Sequence, residues 1–119
     1  MVQPGELARV LVARHRETLE RERERAEALR AAVRREVGKA LMDGVASRAW
    51  LIGSLAWGPF GPGSDVDIVV CGAAHRDASV LAARLMELFG TDVDLLRLED
   101  LPDAFRRRVE EEGSPIRAA

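Results

Sequence analysis

The sequence predicts an α/β fold: a small mixed β-sheet with helices packed on one side, preceded by one long N-terminal helix. Three observations predict it. From Glu6 to about Asp43 almost every residue is a good helix former, with Gly38 the one interruption. Three later apolar runs, at 48–52, 65–71 and 92–97, have strand length. Helical spacing follows the second and third runs, and the order strand, strand, helix, strand, helix gives one sheet covered by helices.

Each element has a local reason. Pro4 suits the first turn of the long helix, and Gly44 is a natural stop. Ala26, Leu29, Val33, Val37 and Leu41 recur at three- and four-residue steps and form an apolar stripe. Leu7, Val10 and Leu11 make a smaller patch, and Arg14–Glu24 between them is polar around Leu19. That polar stretch reads either as a solvated helix laced by Glu–Arg pairs, each worth about 0.2–0.5 kcal/mol, or as an arm that projects to meet a partner or a second copy. The first strand, Arg48–Ile52, carries Trp50 into the core and ends at Gly53, after which Leu55–Trp57 begin a short helix. The segment 58–63 is too rich in Gly and Pro for regular structure. Asp65–Cys71 form the second strand. Ala78, Leu81, Ala82, Leu85 and Leu88 mark an amphipathic helix stopped by Gly90, and Asp92–Arg97 form the third strand. Asp100 is placed to cap a last helix, with Pro102 in its first turn and Leu101, Phe105 and Val109 buried. Gly113 ends that helix, and a frayed tail is expected over 114–119. The chain thus divides into a helical segment, 1–44, a core, 45–113, and the tail, all within one domain.

Composition narrows the function classes. At 119 residues, with 47% hydrophobic and 32% charged residues, the chain suits one globular domain with a real core. A net charge of -2 offers no bulk attraction to nucleic acid, so work on a long nucleic-acid template is not expected. A single cysteine, Cys71, rules out an internal disulfide framework and suits a reducing, cytoplasmic setting. No signal peptide or membrane span is recognisable, so no membrane association is expected.

The informative stretch is 53–67, GSLAWGPFGPGSDVD. Asp65 and Asp67 alternate with Val66 and Ile68, so both carboxylates face the same side of the second strand. Two such carboxylates repel, and a hard divalent cation shared with a phosphate relieves the repulsion. Gly53 lets backbone approach a phosphate that a Cβ would hold off, and Ser54 can donate its amide and hydroxyl to phosphate oxygens. Ser64 reads as orienting the second strand.

Gly53–Ser54, Gly58, Ser64, Asp65 and Asp67, with the strand Trp50–Leu51–Ile52 before them and Val93–Asp94–Leu95 after, resemble the active-site motif of the DNA polymerase β-like nucleotidyltransferases. The likeness runs over about residues 45–113 and is greatest to the minimal nucleotidyltransferases. It implies Asp65, Asp67 and a third acid as catalytic metal ligands for one or two magnesium ions, and Gly53, Ser54, Asp65 and Asp67 as the ATP-binding set. Asp94, between Val93 and Leu95, matches the family's third acid; Asp92 is the alternative. Trp57 stands where many relatives carry arginine, and could stack on a base or partner, or pack on the sheet.

By the same resemblance the chain transfers AMP from ATP to a hydroxyl of a partner protein, as the antitoxin of a helical, HEPN-like toxin. Almost nothing follows the catalytic core to hold an acceptor, so a partner chain or a homo-oligomer would supply the missing wall. Transfer to a small molecule of the aminoglycoside type, or neutralisation of the partner by contact alone, are the other readings.

Overall fold

A computed structural model describes residues 3–58, 60–61 and 63–118. The elements run α1 (Pro4–Met42), β1 (Arg48–Ile52), α2 (Gly53–Trp57), β2 (Val66–Cys71), α3 (His75–Phe89) and β3 (Val93–Arg97). A 3-10 turn, Leu98–Asp100, leads to α4 (Asp103–Glu112) and β4 (Ser114–Ile116). The two Pro residues of the 58–63 segment, at 59 and 62, lie outside the described residues.

Four strands form one mixed sheet in the order β3-β2-β1-β4. β1 and β2 are antiparallel, with Ile52 opposite Asp67 and Arg48 opposite Cys71. β2 and β3 are parallel, joined over one face by α3, with Asp67 opposite Asp94. Strand alternation sorts the side chains into two layers. Ala49, Leu51, Val66, Ile68 and Val70 face α1 and α3, and meet Val33, Val37, Ala78, Leu81 and Leu85 there. Trp50, Ile52 and Val69 face the other way and are covered by Leu98 and by Val109 of α4. The main helical layer therefore lies on one face, and α4 adds a small second layer at the other.

Four local expectations give way. Ser114–Ile116 do not fray but form β4, antiparallel to β1 with Ala49 opposite Ile116. Three contacts hold that strand: burial of Ile116, and the Arg34 guanidinium of α1 donating to the Pro115 carbonyl at 3.0 Å and to the Ser114 hydroxyl. Ile116→Ala should therefore destabilise the protein by about 2–4 kcal/mol, as other buried Ile truncations do, read as a lowered urea midpoint; a loose tail would show almost no shift. Asp100 does not cap α4, because its carboxylate pairs with Arg97 at 2.9 Å and Pro102 holds the N-cap position. Phe105 stays 40% exposed, leaving Val109 as the buried residue of α4.

The fourth concerns α1. Its 39 residues make a rod about 58 Å long, and only the stretch from Ala26 onward is buried against the domain. The radius of gyration is 18.1 Å, against the roughly 13–14 Å expected of a compact chain this long. Residues before Ala26 project as an arm, and among the described residues none of its Arg or Glu side chains forms an ion pair. Glu17–Arg21 and Arg16–Glu20 have the spacing for such pairs, yet the exposed side chains do not close on one another. No helix among the described residues is long and apolar enough to cross a membrane.

Candidate active site

The site begins with the register of two strands. In the parallel β2–β3 pair Asp67 lies beside Asp94, about 4.8 Å apart in backbone terms. The Val66 amide donates to the Asp92 carbonyl at 3.0 Å and fixes that register. Asp65 stands just ahead of β2, two residues before Asp67 and on the same side. Asp92 lies outside β3, and its side chain is not among the groups acting on Asp67. Between the two candidates for third acid, the geometry joins Asp94 to the pair.

Electrostatics agree with the placement. Asp67 is half-buried, while Asp65 and Asp94 are exposed. Burial first, then the Asp94 and Asp65 charges and a hydrogen bond with Asp94, push the Asp67 carboxyl above its ordinary value. Among the described residues no three acidic, histidine or cysteine side chains close on one point as they stand. The three acids are instead neighbours that repel, an all-oxygen donor set whose repulsion a divalent ion such as magnesium would relieve.

The sign of the pH dependence follows. A carboxyl raised in the folded state contributes stability that is complete below the unfolded value, near 3.8, and is lost as pH rises through the folded value. In EDTA, Asp67→Asn should thus become more stable than the parent as pH rises from about 4 to 7. Urea unfolding at several pH values would check this; a constant difference would mean the carboxylates do not strain one another.

Gly53 is the second part. Ile52 ends β1 opposite Asp67, and Gly53 turns the chain from β1 into α2 with φ +70°. A Cβ here would collide with the Asp67 carboxylate, so the residue keeps clear the space beside the acids. Ser54 follows it at the start of α2, half-buried. Ser64 works on its own turn: its amide donates to the Gly61 carbonyl at 3.1 Å and its hydroxyl accepts from the Gly61 amide at 3.2 Å.

Some contacts near the site had little signal in the sequence. Arg30 of α1 donates to the Leu55 carbonyl at 2.9 Å and ties α2 to the long helix. Arg30 and Arg34 lie four residues apart at the border of the apolar stripe, which is the one hint of such a role. Trp57 is 56% exposed, so it does not pack on the sheet; its indole N–H donates to the Glu112 carbonyl at 3.1 Å, joining α2 to the end of α4. A surface hollow of about 640 Å³ lies at the far end of β1 beside Ser47, Arg48, Gly72 and Ile116. It holds no carboxylate, and the acid cluster is the better guide to chemistry.

The comparisons with known proteins fit this geometry. The family described as "Polymerase beta, Nucleotidyltransferase" matches residues 42–118, well over half of the chain. Among solved structures, a toxin–antitoxin structure with AMP-PNP is similar at TM-score 0.61 and 25% identity, covering 72% of this chain and 73% of that one. A structure described as a minimal nucleotidyltransferase is similar at TM-score 0.56 and 29% identity, covering 82% of this chain and 94% of its own. A toxin–antitoxin MntA-HpeT mutant, Y104A, is similar at TM-score 0.54 and 27% identity, with 68% of each chain covered. No curated protein matches in sequence. With its mixed sheet, its Gly-Ser turn and its facing carboxylates, the chain belongs to the polymerase β nucleotidyltransferase family.

Proposed function

We propose that the chain is a magnesium-dependent nucleotidyltransferase that moves AMP from ATP onto a hydroxyl of a partner protein, as the antitoxin of a toxin–antitoxin pair. The observation that carries this is Asp67 facing Asp94 with Asp65 beside them, next to a glycine that leaves the adjoining space clear. Support for the partner comes from similar structures: one is a toxin–antitoxin structure with AMP-PNP, an ATP analogue, and another is a toxin–antitoxin mutant. A HEPN-like helical toxin is the partner that the family resemblance suggests, and a reducing cytoplasm suits the lone Cys71.

Asp65, Asp67 and Asp94 would hold the metal, which when bound neutralises triphosphate charge and favours ionisation of the attacking hydroxyl. Gly53 and Ser54 bind the outer phosphates, the first by leaving room and the second by donating its hydroxyl. Asp94, on the open edge strand, accepts the proton of the acceptor hydroxyl. The acceptor oxygen bonds to the α-phosphorus as the bond to the bridging oxygen breaks, and pyrophosphate leaves. The protein's share is positioning and fixed charge.

Calorimetric titration of ATP with magnesium tests the site. The parent should bind saturably and only with magnesium, while Asp65→Asn/Asp67→Asn should lose at least tenfold in affinity. Equal binding by both would move the nucleotide site elsewhere.

A further inference from the structure

The arm of α1 has a sidedness that the nucleotide site does not use. At about 100° per residue, Leu7, Leu11, His15, Leu19 and Glu22 continue the same face as the buried Ala26, Val33, Val37 and Ala40. Within the domain that face is covered by the sheet. Glu22 is still half-buried, beside Phe60 and Phe89; before it no described residue covers the face, and Leu7, Leu11, Val12 and Leu19 are 53, 55, 51 and 42% exposed. The charges are sorted around it. Arg14, Arg21 and Arg25 border one side of the apolar sector; Arg9, Arg16 and Arg23 border the other. Glu6, Glu17, Glu20 and Glu24 fall on the back, and Glu22 alone lies within the face.

This sorting selects the occupant. A second copy, parallel or antiparallel, would set arginine borders against arginine borders, so self-pairing is disfavoured. A lipid surface finds no aromatic residue to anchor in it, and six arginines against five glutamates over residues 4–25 leave little net positive charge to hold the arm there. An apolar groove rimmed by aspartate and glutamate fits the free part of the arm: Leu7, Leu11 and Leu19 fill it, the bordering arginines pair with its rim, and Glu6, Glu17, Glu20 and Glu24 stay in water. We infer that residues 4–25 of α1 are a docking helix for a different protein, one that presents an apolar groove with an acidic rim. The inference stands apart from nucleotidyl transfer, which uses Asp65, Asp67 and Asp94 and none of the residues of the arm.

The test uses the full chain and a labelled synthetic peptide as the acidic probe. The peptide copies residues 4–27 but carries glutamate at the positions of the six arginines, and a second peptide copies 4–27 unchanged. The acidic peptide should bind at least tenfold more tightly than the unchanged copy, and less tightly as salt is raised. Leu7→Gln/Leu11→Gln and Arg14→Glu/Arg21→Glu should each weaken it at least tenfold, while circular dichroism and magnesium–ATP titration stay as in the parent. Equal affinity for the two peptides, no binding of the acidic one, a stable homodimer by sedimentation, or tighter binding to vesicles of phosphatidylcholine and phosphatidylglycerol would each overturn the inference. Loss of ATP binding with peptide binding intact would count against the site reading alone.

Discussion

Asp94→Asn should slow label transfer from α-phosphate-labelled ATP to the acceptor by about 10²–10⁴-fold, the usual range for loss of a general base. Asp92→Asn should stay within about threefold of the parent. Both acids sit near the start of the same strand, so the contrast depends on register alone. Asp94 lies beside Asp67 across the parallel pair and acts on its charge, whereas the role of Asp92 is its backbone carbonyl, which accepts from Val66. An Asn preserves that carbonyl and should leave the strand pairing unharmed. If the two variants were equally impaired, the third acid would not be defined by this register. If Asp92→Asn alone were dead, the assignment would reverse.

Gly53→Ala should disable nucleotide binding at least tenfold and cost about 1–2 kcal/mol of stability. Two effects combine: φ is +70°, which L residues other than glycine adopt at a cost, and the new methyl would meet the Asp67 carboxylate. Gly58 supplies the control. Its φ is +63°, yet a Cβ there would meet nothing within 4 Å. Gly58→Ala should therefore share the conformational cost and leave ATP affinity nearly unchanged. Calorimetry on both variants, with urea unfolding for stability, separates backbone strain from obstruction of the site. Equal loss of ATP binding in the two would mean that turn conformation, not clearance beside Asp67, is what the glycine provides.

The parts of the fold that the sequence made legible are those governed by local rules. β1 was readable from Arg48 to Ile52 because its ends are marked by composition, and α3 because Gly90 stops it in the left-handed conformation. The pairing of Asp65 with Asp67 follows from strand alternation. What was illegible depends on partners distant in sequence. Ser114–Ile116 read as a frayed tail until Arg34, about eighty residues earlier, supplies a donor to the Pro115 carbonyl. Asp100 has the residue type of a cap, but Arg97 competes for its carboxylate three residues away. Trp57 offers two apolar rings to any reader of the sequence, and only the position of the Glu112 carbonyl explains its exposed placement. The arm's sorted arginines were visible in principle, since helical geometry alone sets them nearer the apolar sector than Glu6, Glu17, Glu20 and Glu24. Reading those charges as neighbour pairs hid the sorting.

One consequence of α1 concerns how a helix survives without a domain beneath it. Starting a helix is the unfavourable event, and extending one that exists is nearly neutral. The anchored stretch, with Val33 and Val37 fully buried and Arg30 and Arg34 tied to α2 and β4, supplies that start. The arm is then a continuation that never has to nucleate. Its order is borrowed from packing many residues away, and it fades toward Pro4 as each turn is further from the loan's source. A single helix in this chain thus holds two kinds of stability: one set by the globular core, and one set by distance from it.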